Sequence, residues 1–149
     1  MWLGVDQRRW LLTPGKVVYG GTEYGKKLAV HKNFMGWIAE MEKKYKTAVI
    51  CRELVDQTRD YLCANIHGSG YDDHYIVAIL MVSGCRLVSS LDEGLSKLMK
   101  ECYSQPAVSS IKENCSCSKK LHLPRVYKNK KHAASLLSKK YIVKLEHTI

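Results

Sequence analysis

Acidic residues are scarce in this chain of 149, with 14 Asp and Glu against 24 Lys and Arg and a formal charge of +10. Such an excess favours polyanionic partners, nucleic acid first and an anionic membrane surface second, and carries no information about fold. Long apolar runs are missing too. The run Tyr75–Val82, YIVAILMV, falls well short of the roughly 18 apolar residues of a membrane-spanning helix. The opening MWLGVDQRRW places Arg8 and Arg9 behind a few apolar residues and does not read as a signal peptide. No Gly-rich phosphate loop occurs, because Gly20-Gly21 and Gly68-Ser69-Gly70 lack the required spacing and the Lys-Ser/Thr pair. Serine-nucleophile motifs are absent, and His31, His67, His74, His122, His132 and His147 show no paired metal-ligand spacing.

What is present points to one domain over 1–149, with enough chain to bury a core. The six cysteines are even in number, but without a secretion signal a reduced, cytoplasmic protein is the expectation. Cys51, Cys63, Cys85 and Cys102 sit inside apolar patterns and read as small core residues. Cys115-Ser116-Cys117 followed by His122 imitates a zinc site. Its single intervening residue is not the usual spacing and a fourth ligand is missing, so a polar loop with two free thiols is the reading.

Along the chain, strand and helix signals alternate. Lys16–Tyr19 reads as a strand ended by Gly20-Gly21. Thr22 to about Lys44 turns helical, with Leu28, Phe34, Trp37, Ile38 and Met41 on one face, although Gly25 and Gly36 weaken a continuous helix. Ala48–Cys51 reads as a second strand, and Arg52–Asn65 as a helix through Leu54, Thr58, Tyr61 and Leu62. Next, Asp72 and Asp73 open the apolar run, Gly84 closes it, and Leu87-Val88 form a strand. The acidic start and glycine stop predict a helix over Tyr75–Val82, with Asp72 or Asp73 capping it and Gly84 ending it in the left-handed region. Ser90-Leu91-Asp92-Glu93 fits a capping box, followed by the stripe Leu95, Leu98, Met99 and Cys102. The alternation predicts an α/β fold, a mostly parallel sheet covered on both faces as three layers, αβα.

Asp73 and Asp92 then stand at one edge of such a sheet, where strand ends and helix N-termini collect and ligands bind. Acids at helix starts are commonly there to complement the dipole. As a set, however, Asp72, Asp73 and Asp92 would repel one another unless a hard cation such as Mg²⁺ or Mn²⁺ joined them.

The order Asp73-His-Tyr-Ile-Val-Ala, Ser83-Gly84, Leu87-Val-Ser-Ser90-Leu-Asp92 resembles the C-terminal half of a PIN domain. Val17-Val-Tyr-Gly-Gly21 and Pro124-Arg-Val-Tyr-Lys-Asn129, with His132 and Leu136-Leu137, are similar to a bacterial and archaeal branch of that family. The likeness spans roughly Lys16 to Leu137. It implies a metal-dependent ribonuclease in the cytoplasm, with Mg²⁺ or Mn²⁺ held by acids, water as nucleophile and a 5′-phosphate product. Carried over by position, Asp73 and Asp92 are catalytic metal ligands, Asp72 an accessory ligand, and Ser90 the residue that orients the cluster. The family usually has Glu just before the residue that is Leu28; here Lys27 stands there, and Glu23, four residues earlier on the same helix face, is the substitute ligand. Partners implied are RNA, and a protein antitoxin or a second copy of the chain.

The N-terminus departs from that pattern. Asp6 after Met1–Val5 imitates a first strand ending in Asp, but Gln7–Gly15 is shorter than the roughly dozen residues of a parallel crossover. Residues 1–15 therefore read as a divergent segment, with the first strand–helix unit reduced or missing. A loss of the first acid favours the alternative, a degenerate, non-catalytic PIN-like module that binds RNA or a protein. The basic residues gather in a C-terminal segment, 105–149. Lys119, Lys120, Arg125, Lys128, Lys130 and Lys131, with Tyr127 to stack on a base, suit single-stranded RNA. They are not spaced as the polar face of a membrane-surface helix.

Overall fold

The computed structural model describes residues 16–68, 72–90, 92–104, 123–127, 145 and 147–149. Strand β1 (Val17–Gly20) is followed by helices α1 (Thr22–Ala29) and α2 (Lys32–Lys43), then β2 (Thr47–Ile50) and α3 (Arg52–Asn65). Helix α4 (His74–Ser83), β3 (Leu87–Ser89), α5 (Glu93–Ser104) and β4 (Arg125–Tyr127) complete the order. The chain is thus mixed α/β. β1 and β2 are parallel, in register from Val17↔Thr47 to Gly20↔Ile50, and β3 and β4 are parallel from Leu87↔Arg125 to Ser89↔Tyr127. Among the described residues these are two separate two-stranded sheets, not one continuous sheet. Parallel pairing needs a long crossover, and α1 with α2 supplies it for the first pair. An antiparallel bridge, Ile50↔Thr148, lies beside β2. It is flanked by hydrogen bonds from the Cys51 N–H to the His147 carbonyl (2.8 Å) and from the Ile149 N–H to the Val49 carbonyl (2.9 Å).

The single helix expected from Thr22 to Lys44 is instead two, interrupted at Val30 and His31. The break is not at a glycine: Gly25 and Gly36 stay inside the helices with open space around them. Turning the chain there lets α2 bury Trp37, Ile38 and Met41 beside Val17, Tyr19 and Phe34, while Leu28 stays half-buried on α1. Gly20 is required by close packing, since a Cβ there would come within 2.8 Å of the Ile50 carbonyl oxygen. Gly21 turns the chain with φ +82°. No side chain of α1's own caps its start; the Asp56 carboxylate, from α3, accepts the Thr22 N–H (2.9 Å) and hydroxyl (2.6 Å) instead.

Helix α4 is the centre of the molecule. Nine of its ten residues are buried, so its apolar surface runs all round, as in a helix enclosed by protein. Gly84 ends it as expected at φ 70°, ψ 13°, its N–H bonded to the Leu80 carbonyl at 3.0 Å. Around it pack Ile50, Val55, Leu62 and the full expected stripe of α5, Leu95, Leu98, Met99 and Cys102. Val18, Val88 and Val126 lean on the same cluster, so both strand pairs share one core. Each fully buried aliphatic side chain contributes about 1.5–3 kcal/mol, and α4 supplies the densest row of them. Cys51, Cys63, Cys85 and Cys102 are free thiols, of which Cys102 is fully buried and the others half-buried. Among the described residues no helix is long and apolar enough to cross a membrane.

Candidate functional site

The start of α4 gathers carboxylates. Asp73 occupies the N-cap position, and its carbonyl accepts the Ile76 and Val77 N–H groups at 3.0 and 3.4 Å, but its side chain makes no capping bond. The capping role expected of Asp73 is therefore corrected. Its carboxyl is instead within hydrogen-bonding reach of the Tyr75 hydroxyl and the Asp92 carboxyl. Burial first, then the neighbouring Asp72 charge and the bond with Asp92, hold the Asp73 carboxyl above the ordinary carboxylate range; Lys27 pulls weakly the other way. Two carboxyls this close favour one shared proton or one cation between them.

Asp92 is held from its own side. Its N–H donates to the Ser90 hydroxyl at 3.0 Å, and its Oδ1 accepts the Gly94 N–H at 2.7 Å. The expected capping box is therefore shifted by two residues: α5 begins at Glu93, Asp92 caps it, and Ser90 fixes the Asp92 backbone. The shorter route wins because an Asp at the N-cap satisfies the second helical N–H directly. Ser90 is thus a positioning residue, acting on the loop that carries Asp92.

Three residues that the sequence pattern did not mark as site residues complete this corner. Tyr75 is buried, with its phenol driven above its ordinary range by burial and by Asp73. Tyr24 of α1 packs against it, ring centroids 5.9 Å apart, and burial pushes the Tyr24 phenol up to about 12. The Lys27 ammonium lies 4.5 Å from the centre of the Tyr75 ring. The position where the resemblance expects Glu is therefore the position that faces the acids, and it carries a cation. An Asp-x-Tyr at the head of an apolar helix was the available signal for Tyr75, since residue three of that turn points back over the N-cap.

The two accessory acids share a cleft. Asp72 and Glu23 line an open cleft of about 370 Å³ with Arg59, Cys63, His67 and His74. His74 is buried, and its Nε2 donates to the Ile66 carbonyl at 2.9 Å, tying the end of α3 to the start of α4. Among the described residues no three His, Cys, Asp or Glu side chains form a ready cation cage. The donor set that does converge, Asp73 and Asp92, is two hard oxygen ligands. Mg²⁺ commonly keeps several waters and takes one or two carboxylates plus substrate phosphates, so these residues fit such an ion.

Of the expected RNA-binding residues, Arg125 and Tyr127 fall on β4, whose end lies beside the end of β3 through the Ser89↔Tyr127 register. Lys119, Lys120, Lys128, Lys130 and Lys131 lie outside the described residues, as do Asp6, Cys115, Cys117 and His122. No family model, no curated protein and no solved structure matches the chain.

Proposed function

We propose that the chain is a PIN-like, metal-dependent ribonuclease whose centre is the Asp73–Asp92 pair. The observation that carries this reading is the convergence of two carboxyls with the Asp73 side chain diverted from helix capping. On this reading the two parallel strand pairs belong to one three-layer αβα arrangement. Asp73 and Asp92 would hold Mg²⁺ or Mn²⁺, with Asp72 close enough to bias the site electrostatically. A divalent cation there supplies an activated water and neutralises charge on the phosphate. The Tyr75 hydroxyl lies beside the Asp73 carboxyl, and Ser90 and Gly94 keep Asp92 in place. The basic C-terminal segment would hold the backbone of single-stranded RNA.

The second reading is a non-catalytic module that binds RNA or a protein partner. Lys27 beside the acids favours it, because an ammonium there already offsets part of their charge.

Cleavage of labelled single-stranded RNA with Mn²⁺ and with EDTA, by wild type, Asp73→Asn and Asp92→Asn, decides between them. Metal-dependent cleavage lost in both variants is the expected result. Equal behaviour of all three proteins would sink the nuclease, and retained salt-sensitive binding would then select the module.

A further inference from the structure

Lys27 does more than offset the charge of the acids. Its side chain is half-buried against the Tyr75 ring, 4.5 Å from the centroid, in a contact that fixes an ammonium without consuming its N–H donors. Lys27 forms no ion pair among the described residues. The Asp73 carboxyl lies close to the hydroxyl of the same Tyr75 and to Asp92. One ring therefore carries the cation on its face and an acid at its tip. A phosphodiester approaching two carboxylates is repelled, and a cation already parked beside them reduces that repulsion. Lysine, a compact point charge with three rotatable donors, suits a phosphate oxygen.

We propose that Lys27 is a substrate-contacting residue, whose ammonium receives a non-bridging phosphate oxygen of RNA at the Asp73–Asp92 site. The proposal rests on the reading of that pair as the nucleic-acid centre. Lys26, one residue earlier and exposed, has no such ring beneath it among the described residues and serves as the control.

The test is anisotropy of a fluorescein-labelled uridine oligonucleotide, titrated over a range of salt. The full chain carries Asp73→Asn and Asp92→Asn, so that cleavage does not intervene. Lys27→Met is expected to weaken binding about tenfold, the scale of one charge-assisted hydrogen bond. It should also reduce the slope of log K against log salt by about 0.7, the value for one phosphate contact on a single strand. Lys27→Arg is expected to keep most of the affinity, because it retains the charge, whereas Lys27→Met keeps an aliphatic stem and removes only the charge. A Lys27→Met protein that matches Lys26→Met in both affinity and slope would overturn the proposal. Cleavage by the unsubstituted chain is scored separately: binding through Lys27 by a protein that cleaves nothing removes the nuclease and leaves this contact standing.

Discussion

Asp56 and Asp73 are both half-buried carboxyls beside the start of a helix, and their surroundings drive them in opposite directions. Asp56 accepts two hydrogen bonds from Thr22. Burial pushes its pKa up, but those bonds and the Arg52 and Arg59 charges outweigh it and leave the carboxyl below the ordinary range. Asp73 caps no N–H group; it meets Asp92 and the charge of Asp72 and is held above the ordinary range. Position at a helix start therefore does not separate structure from function. Partners do: a carboxylate filled with donors is finished as structure, whereas one facing other carboxyls still needs a proton or a cation.

The largest expected effect contrasts the two acids through metal. Anything that binds the folded state alone stabilises it, by about 2.7 kcal/mol at a hundredfold excess over Kd. Mn²⁺ should therefore raise the thermal midpoint of wild type and of Asp56→Asn, and leave that of Asp73→Asn unmoved. A calorimetric scan with and without Mn²⁺ reads this directly. The same Mn²⁺ shift in Asp73→Asn would erase the distinction between the two acids.

The next effect concerns stability without metal. Asp56 caps α1 across the fold, and losing an N-cap oxygen typically costs about 1–2 kcal/mol. Urea unfolding of Asp56→Ala should show that loss, with the slope unchanged. Asp73→Asn should lose little or gain slightly, because it removes a repelled carboxyl and no cap. A loss in Asp73→Asn as large as that in Asp56→Ala would make Asp73 an ordinary structural acid.

Acid titration sharpens the same contrast with smaller shifts. Both groups start from the ordinary aspartate value of 3.8 and depart from it in opposite senses. The lowered Asp56 contributes stability that is present above 3.8 and lost as pH falls through its folded value. The raised Asp73 favours the folded state below 3.8, and that contribution is lost as pH rises through its folded value. In EDTA, Asp56→Asn should flatten the acid limb of the stability curve. Asp73→Asn should flatten the decline on the less acidic side of 3.8. Midpoints measured across pH would refute the assignment if each variant altered the other's limb.

Much of this was legible in the order of residues. Helix α4 and its Gly84 stop follow from an acidic start and a glycine end around an apolar run, and the α5 stripe follows from its helical spacing. The meeting of Asp73 and Asp92 follows from one topological rule, that strand ends and helix starts share an edge. What was not legible depends on how separate elements rotate against each other. Tyr75 reads as the first apolar residue of a run, and its hydroxyl acquires a role because Asp73 turns away from the backbone. Asp56 has no local signal at all, since its partner Thr22 lies 34 residues away. The break at Val30–His31 defeats a periodicity that continues through it, because the gain from seating Trp37 and Met41 is tertiary.

The smallest effect probes how finely Asp92 is held. Gly94 sits in the first turn of α5, and its N–H bonds Asp92 Oδ1 at 2.7 Å. A Cβ at that position would lie 3.0 Å from the same oxygen, tighter than ordinary contact. Alanine favours a helix interior over glycine by about 0.5–1 kcal/mol, so Gly94→Ala should leave the protein as stable or slightly more so. The carboxylate must give way by a few tenths of an ångström, which moves the Asp92 oxygen proposed as a ligand and not the fold. Mn²⁺ affinity, read by titration calorimetry, should then fall by a few-fold while the urea midpoint holds or rises, as expected where ligand placement tunes a metal site. Affinity and stability falling together would instead mean that Asp92 is a helix cap alone, and would move it to the side of Asp56.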